Sequence, residues 1–319
     1  MADVLVVGGT GFAGRHAAAA FTHLGRDVLV LARKPGPHPA GARLVTMDLA
    51  AAGPESVLAL LDTERPDVVV NAAGSIWNAT SEQLAWSNVV LVEHLLAALR
   101  RASGRPRLVH LSSSYEYAPT SPGTPMTEQS PIGPGSEYAQ TKAQGTGAVL
   151  DAARRRDVDA VALRVSTVIG PGAPAVSLIG SAGRVLRTAG KNGQYGLLRL
   201  YSEEAEHDFI DAFDLADAVT AAAASSFSGV VNVGGGAAVR VRSVLEQLIS
   251  ISEIPALIVT RPPAWETVRD GSDWQVLDIS LARRELGWAP RRGVADSLRS
   301  FWLSEQYRSS SQAVSASGA

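Results

Sequence analysis

Short apolar runs alternate with longer amphipathic stretches over the first half of the chain. Val4 to Val7, Asp27 to Leu31, Leu44 to Met47, Asp67 to Asn71, Arg107 to Leu111 and Val158 to Leu163 are rich in β-branched residues. Arg15 to Leu24, Glu55 to Leu61, Ser81 to Arg101 and Tyr138 to Arg155 have helical character, and a helical stretch separates most neighbouring runs. The runs are apolar on both faces, which predicts strands of a buried parallel sheet. Strand and helix in alternation predict an α/β fold with a doubly wound parallel sheet that binds ligands at the carboxyl ends of its strands.

After Arg164 the rhythm loosens. Pro and Gly cluster at Gly170 to Pro174, and helices are predicted at Val176 to Ala189 and Leu215 to Ser225. Leu197 to Leu200 reads as a short strand, and Val230 to Val233 as a strand that rejoins the main sheet. Arg242 to Ala289 reads as two helices with a short strand at Leu257 to Val259. The expected organisation is a nucleotide-binding domain over 1–165 and a smaller, mixed cap over 166–308, with segments near 206–235 returning to the sheet. The small, polar stretch 309–319 reads as a disordered tail.

Hydrophobic residues are 46% of the chain and charged residues 19%, which supports a sizeable core and argues against global disorder. The net charge of −2 gives no bulk attraction to nucleic acid. The absence of Cys excludes disulfides, thiolate metal sites and Cys nucleophiles. The six His include no pair at a ligand spacing, so no metal site is expected. Without a signal-like N-terminus or a span-length apolar run, the expectation is a soluble, cytoplasmic protein with no membrane partner.

The first chemical feature is Gly8-Gly9-Thr10-Gly11-Phe12-Ala13-Gly14, directly after the first strand. Glycines at 8, 11 and 14 permit a tight turn, close approach of a pyrophosphate and packing of the following helix, whose N-terminus faces the phosphates. At the end of the second strand stand Arg33 and Lys34, with no carboxylate nearby. A basic pair there suits the 2′-phosphate of NADP(H), with NAD(H) the other possibility. Asp48 and Leu49 follow the third strand; Asp48 is placed to accept from the adenine amino group, and is also ordinary turn chemistry. Tyr138 and Lys142 lie one helical turn apart on one face, where an ammonium lowers a phenol's pKa. Ser112-Ser113-Ser114-Tyr115-Glu116-Tyr117 closes the fifth strand and offers hydroxyls to a substrate oxygen.

Together these features resemble the extended short-chain dehydrogenase/reductase family, in its branch of nucleotide-sugar epimerases, dehydratases and reductases. The likeness runs from Val4 to about Trp302. It rests on the glycine turn, Asn71-Ala72-Ala73-Gly74, Ser113, Tyr138 with Lys142, Leu163-Arg164 ahead of Gly170-Pro171-Gly172, His207-Asp208-Phe209-Ile210-Asp211 with Asp214-Leu215-Ala216, Asn232-Val233-Gly234, and Asp278-Ile279-Ser280 ahead of Ala282 to Trp288. The resemblance implies a Rossmann-type sheet with a C-terminal substrate-binding cap, and a cofactor lined also by Ala72 and Ala73. It implies a triad in which Tyr138 exchanges a proton with a sugar oxygen. Lys142 lowers the Tyr138 pKa and binds the nicotinamide ribose, and Ser113 holds the same oxygen. It also implies a homodimer through the helix of Tyr138 and the one before it.

Several positions depart from the family pattern. Dehydratases carry Asp-Glu where Ser114 and Tyr115 stand, so 4,6-dehydration is disfavoured. Glu116 with Tyr117, and Glu204-Ala205-Glu206 before Asp208, look more like reductases of NDP-4-keto-6-deoxysugars. His207 takes the place of an Arg that contacts the substrate diphosphate, and Thr167 that of an Asn. Arg269 is the candidate for the second phosphate-binding Arg, with a surface role for it and for Arg187 equally open. The expected activity is NADPH-dependent reduction of an NDP-4-keto-6-deoxysugar. The alternatives are an NDP-sugar epimerase holding NAD, or a reductase of a non-sugar carbonyl.

Overall fold

The computed structural model describes residues 1–76, 78–260 and 273–317, with side chains to 307 except at 50. The first part of the chain forms β1 (Val4–Val7), α1 (Phe12–His23), β2 (Val28–Ala32), β3 (Arg43–Thr46), α2 (Leu49–Glu64) and β4 (Val68–Asn71). There follow α3 (Ser81–Ala85), a π-helical turn (Trp86–Val90), α4 (Leu91–Arg101), β5 (Arg107–Ser113), a 3₁₀ turn (Ser114–Glu116), α5 (Glu137–Arg154) and β6 (Ala160–Val165). The remainder forms β7 (Thr167–Ile169), α6 (Leu178–Lys191), β8 (Gly196–Leu200), β9 (Glu206–His207), β10 (Phe209–Asp211), α7 (Ala212–Ala224) and β11 (Gly229–Val233). Last come β12 (Val239–Arg240), α8 (Val241–Ser252), β13 (Ala256–Thr260), β14 (Trp274–Gln275), α9 (Ser280–Leu286) and α10 (Val294–Ser317).

Seven strands make one parallel sheet in the order β11-β6-β5-β4-β1-β2-β3. The order in which strands are added reverses at β1, so connections run to opposite sides from β1 and β4, which opens a crevice at their carboxyl ends. β1, β2, β5 and β6 are buried throughout, so the uninterrupted apolar pattern of β1 and β2 has a direct cause, while β5 and β6 also bury Arg107, His110 and Arg164. One core packs Val4, Val6, Val30 and Val109 under α1 and α7. The opposite core packs Leu5, Leu29, Leu61, Leu95, Leu96 and Val149 under α2, α4 and α5. Leu5 and Leu96 are at most 2% exposed, and truncating either to Ala costs about 2–5 kcal/mol.

A third cluster gathers Ile169, Leu186, Leu198, Phe209, Leu248 and Phe301 from β7, α6, β8, β10, α8 and α10. Three small sheets surround it: β10-β7, β12-β9-β14 and β13-β8. The backbone of α10 runs helical to Ser317, across positions that composition reads as a disordered tail. Extending a helix already docked through Leu298, Phe301 and Trp302 needs no new nucleus. Among the described residues, no helix is long and apolar enough to cross a membrane.

Candidate active site

The glycine turn lies at the switch between β1 and β4. Gly8 has φ +76°, and a Cβ on it would sit 2.7 Å from the backbone nitrogen of Ala73. A Cβ on Gly14 would overlap the carbonyl oxygen of Gly8. These are steric reasons for glycine at both positions. α1 then opens at Gly11 with no side-chain cap, whereas α5 is capped by Ser136 and α7 by Asp211. The first amides of α1 therefore suit a dinucleotide pyrophosphate.

The loop after β2 folds onto this turn, since a Cβ on Gly36 would stand 3.1 Å from Cβ of Thr10. That loop begins with Arg33 and Lys34, both exposed. Asp48 is exposed at the start of α2, and Leu49 beside it is buried. Phe12 leans against the third cluster, with the Arg15 guanidinium 5.5 Å from its ring centre. Arg15 also donates to the carbonyls of Pro171 and Gly172, at 3.0 and 2.6 Å. These bonds fasten the Gly170-Pro171-Gly172 loop to the helix that follows the glycine turn.

Ser113 ends β5, and its Oγ accepts from the amide of Tyr115 at 3.3 Å. Lys142, 5% exposed, reaches from α5 to donate to the carbonyl of Leu111 at 2.6 Å. Burial pushes its pKa down from 10.5 to about 8, against the opposing pull of the Glu116 carboxylate. Tyr138, half-buried, stands one turn earlier on the same helix. The site thus brings Ser113 and Lys142 to adjoining backbone, with Tyr138 above Lys142. A Cβ on Gly74 would lie 4.0 Å from the Lys142 ammonium, so the Ala72-Ala73-Gly74 loop borders the same space.

Two supporting groups were not singled out by sequence reasoning, and a third was read there only as part of a motif. Asn88, in the π-helical turn, donates to Oγ1 of Thr141 at 3.0 Å and to the carbonyl of Ser75 at 3.2 Å. A Cβ on Gly145 would overlap the Asn88 carbonyl, so α5 seats directly on this turn. His110, buried in β5, receives a hydrogen bond at Nδ1 from Nδ2 of Asn71 at 3.1 Å, which puts the ring proton on Nε2. Burial, then Lys142, hold its pKa well below 6.5, so the ring is neutral. The third is the Glu116 carboxylate, which sits wholly inside the protein beside Arg164. An Asn amid apolar helical residues was the available signal for Asn88; nothing in the pattern marked His110.

The expected substrate residues fall on several elements. Ser114 is buried and Tyr115 half-buried in the 3₁₀ turn. Thr167 lies on β7, its amide bonded to the Asp208 carbonyl at 3.2 Å. His207, on β9, is half-buried with its ring stacked 6.3 Å from Phe209. Asp208 beside it is buried and accepts from the amides of Gly235, Gly236 and Leu277, at 2.6, 3.1 and 3.3 Å. Burial raises its pKa to about 6. Arg187 pairs with the buried Glu305 at 3.3 Å, joining α6 to α10 rather than standing as a lone surface charge. Arg269 lies outside the described residues.

The family model "NAD dependent epimerase/dehydratase family" matches residues 4–234. A dTDP-6-deoxy-L-talose 4-dehydrogenase (NAD(P)(+)) of Kitasatospora kifunensis is 41% identical over 305 residues, covering 95% of this chain and 96% of that protein. A UDP-glucose 4-epimerase of Corynebacterium glutamicum is 28% identical over 319 residues, covering 90% of each. The crystal structure of the Thermus thermophilus UDP-glucose 4-epimerase in complex with NAD superposes with a TM-score of 0.83 at 25% identity, covering 95% of this chain and 98% of that one.

Proposed function

This chain belongs to the NAD dependent epimerase/dehydratase family, and from that premise we propose that it reduces the 4-keto group of a dTDP-linked 4-keto-6-deoxyhexose with NADPH. The observation that carries the reading is the 41% identity, end to end, with a dTDP-6-deoxy-L-talose 4-dehydrogenase. Ser114 and Tyr115 support it, because no carboxylate pair stands there to remove water from the sugar. The nicotinamide supplies hydride to the carbonyl carbon. Tyr138 delivers the proton to the carbonyl oxygen, and Ser113, whose Oγ already accepts from Tyr115, turns its own proton to that oxygen. Lys142 holds positive charge beneath Tyr138 and favours the phenolate left after proton transfer. Arg33 and Lys34 suit the extra phosphate of NADPH. A homodimer through α4 and α5 belongs to the same reading.

The experiment is turnover. Purified protein with NADPH and a panel of dTDP-4-keto-6-deoxyhexoses loses the reduced-nicotinamide absorbance band as a 4-hydroxy sugar forms. No loss across the panel overturns the reading. The likeness to UDP-glucose 4-epimerases favours a second reading, an NDP-sugar epimerase holding NAD. That enzyme would interconvert sugars without net cofactor consumption and would purify with cofactor attached.

A further inference from the structure

Glu116 occupies an unusual place. It is 0% exposed, at the end of the 3₁₀ turn that follows Ser113. A carboxylate taken from water needs a full set of partners, and three of its four partners belong to β5 and α5, the elements that carry Ser113, Tyr138 and Lys142. One oxygen accepts from the hydroxyl of Ser112, from the amide of Ser113 at 3.3 Å and from Oγ1 of Thr146 at 2.8 Å. The other accepts from Nε of Arg164 on β6 at 3.0 Å. Ser112 and Ser113 end β5. Thr146 is one helical turn beyond Lys142 on α5. The carboxylate therefore spans the two elements whose spacing sets the distance from Ser113 to Tyr138 and Lys142.

The network continues outward. The Arg164 guanidinium lies 4.5 Å from the ring centre of Tyr117, and the Tyr117 hydroxyl donates to Asn232 at 2.7 Å. Asn232 in turn donates to the carbonyls of Met126 and Asp278, at 2.9 and 3.1 Å. Arg164 is thus held on two sides, and Glu116 has a fixed partner.

We propose that Glu116 is a positioning residue: it clamps the strand of Ser113 to the helix of Tyr138 and Lys142, and supplies the counter-charge that keeps Lys142 an ammonium. The groups around Lys142 leave this task to Glu116. From β5 comes His110, which is neutral. From β4 and the π-helical turn come Asn71 and Asn88, which carry no charge. From its own helix comes Tyr138, the proposed proton donor, and from β6 comes Arg164, whose like charge is paired with the Glu116 carboxylate. The role rests on the reductase reading for its catalytic meaning, but not for its test.

The chain has three lysines, Lys34, Lys142 and Lys191. Carbon-13 labelling of lysine gives a side-chain NMR spectrum in which Lys142 is assigned by its loss in Lys142→Met. In the protein without cofactor or substrate, Lys142 titrates with a midpoint near 8. Glu116→Gln keeps the shape and removes the charge, and the midpoint falls by about one pH unit. Glu116→Gln/Arg164→Met does the same without leaving a buried arginine unpaired. Glu116→Asp keeps the charge and the midpoint, but is too short to span Ser112 and Thr146, so kcat falls. An unchanged midpoint in either neutral variant overturns the proposal. So does failure of both neutral variants to fold, which would make Glu116 and Arg164 a folding pair only. Absence of ketosugar turnover would sink the reductase reading and leave the titration to decide Glu116.

Discussion

The Lys142 ammonium and the Leu111 carbonyl, 2.6 Å apart, join the centre of α5 to the strand that ends two residues later in Ser113. The bond holds a charge inside the protein, and that has a measurable cost. Lys142 titrates near 8 in the folded protein and at 10.5 when free. Between those values the unfolded chain binds more protons than the folded one, so stability rises with pH across the window. The free energy of unfolding in denaturant, measured for the protein without cofactor, gains up to about 3 kcal/mol from pH 8 to 10.5 relative to Lys142→Met. Parallel pH profiles for the two proteins would refute the assignment.

Tyr138→Phe removes the proposed proton donor and keeps the ring. Turnover of the ketosugar falls by about 10²–10⁴-fold while NADPH binding, followed by fluorescence, is retained. Full activity in this variant would exclude Tyr138 from the chemistry.

Arg33 and Lys34 stand free of the core, on a loop folded against the glycine turn. A charged hydrogen bond to phosphate contributes about 1.5–3 kcal/mol. Arg33→Asp is therefore expected to raise KM for NADPH at least about tenfold and to leave KM for NADH unchanged or lower. Equal losses with both cofactors would mean that the loop does not read the 2′-phosphate.

An arginine at the place of His207 would offer a permanently charged, bidentate donor, which an imidazole does not. If it borders the substrate diphosphate, His207→Arg tightens competitive inhibition by dTDP several-fold, and His207→Ala weakens it. Inhibition constants unchanged in both would put the diphosphate elsewhere.

The sheet was readable because each of its inner strands is buried on both faces. Val4–Val7 and Val28–Ala32 could carry no polar residue, and the sequence shows none. The glycine turn was readable for a related reason, since Gly8 and Gly14 are compelled by their neighbours' backbone. β7, β9, β10, β12 and β14 are two or three residues long, too short for any periodicity, and they form only where other strands meet them. Ser81 to Arg101 read as one regular helix because an extra residue in a turn leaves the surrounding pattern nearly intact. Glu116 was read only as part of a strand-end motif with Tyr117. The backbone there is a 3₁₀ turn that carries it inward, and its partners lie 3 to 48 residues away in sequence. No local pattern records such partners.

The π-helical turn at Trp86–Val90 also restricts how the chain can vary. Each residue rotates a helix by about 100°. A wide turn absorbs one extra residue and keeps the flanking helices in phase, so removing a residue here would restore ordinary winding with Val92, Leu95, Leu96 and Leu99 still on the sheet they cover. What it would remove is the bulged backbone on which Gly145 of α5 rests. Adding a residue has no such outlet and would swing those four side chains off the sheet. The segment between β4 and β5 thus accepts substitution, but a change of length by one residue breaks either the seat of α5 or the core beneath α4.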